Sequence, residues 1–93
     1  MKKRATYIGP LVGDFIRKRR KKLGISQIDL AKRFKLSQSV FISLIETGRS
    51  KLPNTWALKM ARELKVKPEK IIKLIIKSEI GQIQREIISE EFL

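Results

Sequence analysis

Two short amphipathic helices are written into Ile25-Ser26-Gln27-Ile28-Asp29-Leu30-Ala31-Lys32-Arg33-Phe34-Lys35-Leu36, which runs directly into Ser37-Gln38-Ser39-Val40-Phe41-Ile42-Ser43-Leu44-Ile45-Glu46-Thr47-Gly48. Each half opens on Ser-Gln. A Ser oxygen accepts from the orphan N–H groups of a first helical turn, so Ser26 and Ser37 are the expected caps. Leu30, Ala31 and Phe34 share one helical face. Val40, Phe41, Leu44 and Ile45 do the same in the second half. The connection is short enough for the pair to form a helix-turn-helix.

Three groups of residues carry a family resemblance: Ser26-Gln27-x-x-Leu30-Ala31, Leu36-Ser37-Gln38-Ser39 and Ile45-Glu46-x-Gly48. In this order the chain resembles the phage-repressor/Cro-type (XRE-type) helix-turn-helix domain, from about Gly13 to about Ile72. Ile16 and Arg20 fit that family's first helix, and Ala61-x-x-Leu64-x-Val66 its fourth. The fold implied is all-α, a lambda-repressor-like five-helix domain with an extra C-terminal helix. The resemblance makes the helix over Gln38–Glu46 the recognition helix and implies a bacterial or phage origin; a cytoplasmic location is the default expected in the absence of a signal-peptide or membrane-span pattern. The resemblance also places Gln27 where the family bonds a phosphate and braces the neighbouring helix.

Two departures from the family pattern bear on geometry. Lys35 stands where the family most often has Gly, in a turn that tends toward a left-handed backbone. Either it accepts about 1 kcal/mol of strain or the turn differs in shape. Glu46 follows Ser37 by nine positions, one more than the family commonly has. One added residue rotates a regular helix by about 100°. Aligned from Ser37, Phe41 and Leu44 are core and Ser43 faces outward. Aligned from Glu46, Ile42 and Ile45 are core. A π-bulge would reconcile the two.

Charge points to a polyanionic partner. The 93 residues carry a net charge of +13, with 42% apolar residues for a small core. Residues 1–62 hold 16 Lys and Arg against 3 acidic residues, whereas residues 63–93 hold 6 of each. All the excess thus sits with the helix-turn-helix and what precedes it, which favours a polyanion, nucleic acid first; the resemblance makes it double-stranded DNA. With no Cys and no His, neither structural zinc of the usual kind nor the commonest general base is available. No cofactor is expected, and no acid–base or metal constellation for an enzyme can be assembled. Met1-Lys2-Lys3-Arg4 opens like a signal peptide, but Ala5–Val12 is too short and interrupted for its apolar region. No apolar run is long enough for a membrane span.

The expected organisation has three parts. Residues 1–9 are a basic arm, either solvated or following DNA. Residues 10–77 form the helix-turn-helix domain, and residues 78–93 a C-terminal helical segment. Helix 1 runs from about Pro10 or Leu11 to Leu23, with Val12, Phe15, Ile16 and Leu23 inward. Arg19 interrupts that stripe and is expected to lay its stem on the core with its head in water. The cationic run Arg17–Lys22 divides between a solvated face and phosphate contact, with Arg20 among the phosphate candidates. Gln38 and Ser39 are the expected base contacts, with Ser43 a turn further on, because Gln pairs with adenine and Ser with several base edges. Gln27, Ser37, Arg49 and Lys51 complete the phosphate set. Asn54 is expected to cap a fourth helix whose core face is Ala57, Met60, Ala61 and Leu64, with Trp56 as a lid.

A fifth helix opens at Pro68-Glu69 and is apolar nearly all round. Beyond it, Ser78-Glu79 can cap a new helix and Gly81 can mark a bend. Ile80, Ile83, Ile87, Ile88 and Phe92 are expected to form a homodimer interface. Folding back onto the same chain is the other possibility. The function expected is a dimeric repressor reading a palindromic operator through helix 3. The alternatives are an antitoxin-type autorepressor holding a toxin partner and a helix-turn-helix protein-interaction module.

Overall fold

Hydroxyl capping begins the motif as expected: Ser26 Oγ accepts the Asp29 N–H at 3.0 Å and starts a helix at Gln27. The computed structural model describes residues 10–91, with side chains through 87. The basic arm and Phe92 therefore lie outside the described residues. Among the described residues five α-helices follow one another: α1 (Leu11–Lys22), α2 (Gln27–Arg33), α3 (Val40–Glu46), α4 (Ala57–Glu63) and α5 (Pro68–Glu91). A 3-10 turn, Asn54–Trp56, precedes α4. Among the described residues there is no strand.

The core lies where the helices converge. Ile16, Leu30, Ala31, Ile42, Ile45, Met60, Ala61, Leu64 and Ile71 are almost entirely removed from water. Val12, Phe15 and Leu23 of the α1 stripe pack against its edge, half-buried. Trp56 is the expected lid. Its ring stacks on Phe34 at 4.5 Å between centroids and meets Phe41 edge-on at 5.4 Å, a pairing worth about 1 kcal/mol beyond its buried area.

Gly13 sets the approach of α1 to α3. A Cβ there would collide with the carbonyl oxygens of Ile45 and Glu46, so only glycine lets the two backbones meet. Lys35 does adopt the left-handed backbone, at φ +60°. Its N–H donates to Lys32 O at 2.9 Å, and Leu36 N–H donates to Ala31 O at 3.0 Å. These bonds close α2 in the manner of a glycine cap. Gly48 ends α3 at φ +82°, seated against Pro10.

Three expectations about helix starts are corrected. First, α3 begins at Val40, and neither Ser37 nor the N-cap residue Ser39 makes a side-chain capping bond. Ile42 and Ile45 are the buried pair, 1% and 2% exposed, while Phe41 and Leu44 are only half-buried. The register counted from Glu46 therefore holds, without a π-bulge. The extra residue is taken up in the bend Ser37–Ser39, because the rear of α3 is pinned and its front is not. Second, Asn54 does not cap α4: it lies inside the 3-10 turn and makes no side-chain capping bond. Third, no new helix starts at Ser78. α5 runs unbroken for 24 residues, and the C-terminal segment is its distal part. A glycine inside a helix costs only about 1 kcal/mol, and Ser78 and Gly81 are half-buried on the side of α5 near Leu11.

Candidate nucleic-acid interface

The rear of α3 is locked by a charged cluster. Arg20 and Glu46 are 7% and 4% exposed. Arg20 Nε donates to Glu46 Oε2 at 2.7 Å and Nη2 donates to Oε1 at 3.0 Å, a two-pronged pair. Arg20 Nη1 donates to Ile25 O at 2.9 Å, tying in the turn before α2. Gln27 Nε2 donates to the same Glu46 Oε1 at 2.9 Å. Among the described residues no buried side-chain nitrogen or oxygen lacks a partner. One carboxylate thus joins α1, α2 and α3.

This corrects the assignment of Arg20. It lies one turn after Ile16 on the inward face of α1, and its guanidinium is consumed by Glu46 and Ile25, so it is not available to a phosphate. Gln27 does brace its neighbour, and its half-buried amide reaches the edge of the same cluster. Arg19 is corrected too. Its head is not free in water: Nε donates to Leu64 O at 2.8 Å and Nη2 to Lys65 O at 3.2 Å. It closes the C-terminus of α4, where Lys65 takes a left-handed backbone at φ +57°. The cationic run therefore splits. Arg17, Lys18, Lys21 and Lys22 face solvent, while Arg19 and Arg20 are structural.

The front of α3 presents a different surface. Ser37 and Gln38 are exposed in the bend that leads into the helix, and Ser39 is half-buried at its start. At about 100° per residue, the direction opposite Ile42, Ile45 and Glu46 belongs to Val40, Leu44 and Thr47. Val40 is 58% exposed, Leu44 half-buried and Thr47 exposed. Ser43 sits on the flank of that face, half-buried. Val40, Leu44 and Thr47 were not among the expected contacts. Counting from Glu46 rather than from Ser37 would have found them.

Exposed cations border this face in sequence. Lys35 lies in the turn before α3 and Arg49 in the loop after it, both exposed. The Arg49 and Ser50 N–H groups donate to Leu44 O at 2.9 and 3.1 Å, which fixes that loop on the end of α3. Lys51 is exposed, with Nζ 3.1 Å from Glu79 Oε2. Such a surface pair contributes about 0–1 kcal/mol and holds the amine only weakly. Far along α5, Ile80, Ile83 and Ile87 are roughly half exposed. The side chain of Ile88 lies outside the described residues.

Among the described residues no helix is long and apolar enough to cross a membrane. No curated protein and no solved structure matches the chain. A family model, described as helix-turn-helix, matches residues 16–71. That span runs from the first buried isoleucine of α1 to the buried isoleucine of α5 and contains the whole Arg20–Glu46–Gln27 cluster. The chain belongs to the XRE-type helix-turn-helix family of DNA-binding regulators.

Proposed function

We propose that this protein is a dimeric transcriptional repressor that reads a palindromic operator through α3. The observation that carries this reading is the contrast across α3. Its rear is locked to α1 and α2, while its front is accessible at Gln38, Val40 and Thr47 and bordered by cations. A recognition helix needs both properties: a fixed bearing on the domain and a leading edge free for base edges. Gln38 pairs with adenine N6 and N7, and Ser39 and Ser43 bond neighbouring edges. Arg49, Lys51, Ser37 and the outer edge of the Gln27 amide take phosphate oxygens. Lys21 and Lys22 add to the salt-dependent attraction. Occupying an operator blocks the polymerase from an overlapping promoter.

The partner in the dimer is a second copy of α5. Ile72, Ile76, Ile80, Ile83 and Ile87 recur at four-, four-, three- and four-residue spacing and are all exposed. They form one stripe, longer than the Ile80–Phe92 segment expected from sequence. Residues 68–77 carry Lys70, Lys73 and Lys77 against Glu69, whereas residues 78–91 carry Glu79, Glu86, Glu90 and Glu91 against Arg85. Antiparallel pairing sets the basic half of each helix beside the acidic half of its partner. A parallel pair would set like beside like. Such an isologous contact has the twofold symmetry of a palindrome.

The test is sedimentation of the wild type and of a variant carrying Ile80→Glu with Ile83→Glu, alone and with duplex DNA. The wild type is expected to be dimeric. The variant is expected to be monomeric, with affinity for a two-half-site duplex reduced and affinity for one half-site unchanged. A wild type that stays monomeric on DNA would refute the dimer, and one that binds no duplex would refute the regulator.

A further inference from the structure

We infer that Val40 reads the 5-methyl group of a thymine in each half-site, with Leu44 completing an apolar wall behind it. This rests on α3 entering the major groove. The first residue of α3 is a β-branched apolar side chain that is 58% exposed, next to Gln38 and Ser39. Leu44 follows one turn later on the same outward face, half-buried. A wholly polar reading edge would discriminate by hydrogen bonds alone. This edge is mixed: polar in the bend at Gln38 and Ser39, apolar at Val40 and Leu44, and polar again at Ser43 and Thr47.

The major groove offers one apolar feature to such a surface, the thymine C5-methyl. A valine carried on the leading turn has a short, stiff side chain whose two methyl groups point at a fixed angle. It therefore loses little conformational freedom on contact, as a reader of a single methyl requires. The amide of Gln38, just ahead in the chain, suits an adenine. The two together favour an A·T pair in each half-site. Burying one methyl is worth about 0.8 kcal/mol, or about a fourfold change in affinity.

The test uses the full chain and a duplex that it selects from random DNA. Each thymine in one half-site is replaced singly by deoxyuridine, which removes the methyl and nothing else. Affinities are measured for the wild type, Val40→Ala and Leu44→Ala. Val40 is exposed and Ala is a strong helix former, so the variant is expected to fold, and circular dichroism checks this. One thymine is expected at which deoxyuridine weakens wild-type binding about fourfold, and Val40→Ala is expected to bind both duplexes equally. Wild type insensitive at every thymine overturns the inference. So does a sensitivity that survives Val40→Ala or that is abolished only by Leu44→Ala. If the wild type selects no duplex at all, it is the groove reading of α3 that fails.

Discussion

The two faces of α3 are seven residues long and built to opposite rules. The rear buries Ile42, Ile45 and Glu46, and every polar atom of that carboxylate is matched by Arg20 or Gln27. The front exposes Val40 and Thr47 and is preceded by the exposed Gln38. Changes at the rear should therefore cost stability, and changes at the front should cost recognition. The same few residues that make the helix rigid make none of the proposed base contacts.

The largest effect is expected from Glu46→Ala. It leaves the Arg20 guanidinium buried without its carboxylate, and breaking such a pair costs about 3–5 kcal/mol. Urea unfolding should show most of the stability of a domain this size gone. A loss under 1 kcal/mol would mean that the rear is not the clamp described. Next in size, Gln38→Ala should weaken binding to a selected duplex by about 1–3 kcal/mol while leaving binding to random duplex almost unchanged. Its unfolding free energy should stay within about 0.5 kcal/mol of wild type. Equal losses on selected and random DNA would break the division between the faces.

Two smaller effects sharpen it. Lys35→Gly relieves a left-handed lysine and should stabilise the domain by about 1 kcal/mol in the same urea titration. An unchanged or lower midpoint would argue against the turn conformation. Arg49→Ala should weaken binding to all duplexes alike and lower the slope of log affinity against log salt by about 1. A change in sequence preference instead would move Arg49 from the phosphates to the bases.

Much of the fold could be read in advance, and the reason is local. Ser26 caps its helix through a hydroxyl three residues from the N–H it accepts, so the signal is written in adjacent letters. The inward set Ala57, Met60, Ala61 and Leu64 follows helical period alone. Lys35 showed a choice between strain and a different turn, and strain was the outcome. The register of α3 was legible only as two alternatives. Periodicity permits Phe41 with Leu44 as readily as Ile42 with Ile45, and what selects the second is an ion pair across 26 positions of chain.

Arg19 and Arg20 show the same limit in the candidate site. Both lie within a six-residue cationic run that invites a phosphate reading. Arg20 stands four residues after the core residue Ile16, so its inward direction was visible in the helical period. Its partner Glu46 was visible only as one carboxylate among the few in the basic half. Arg19 had no such sign, since the carbonyls it meets belong to the distant end of α4. α5 hid its outward face for a different reason. Isoleucines occupy nearly its whole circumference, and only packing against α1 and α4 separates the buried Ile71 from the exposed Ile72 and Ile76.

Selection of bound sites from random double-stranded DNA by the purified protein is the most direct test of α3 as a recognition helix in a dimer. Two inverted half-sites are expected to be enriched, with centres about 34–36 Å or a multiple of that apart, each containing an A·T pair, and retention is expected to fall steeply with salt. Recovery of no preferred sequence, or of binding indifferent to salt, would contradict that role.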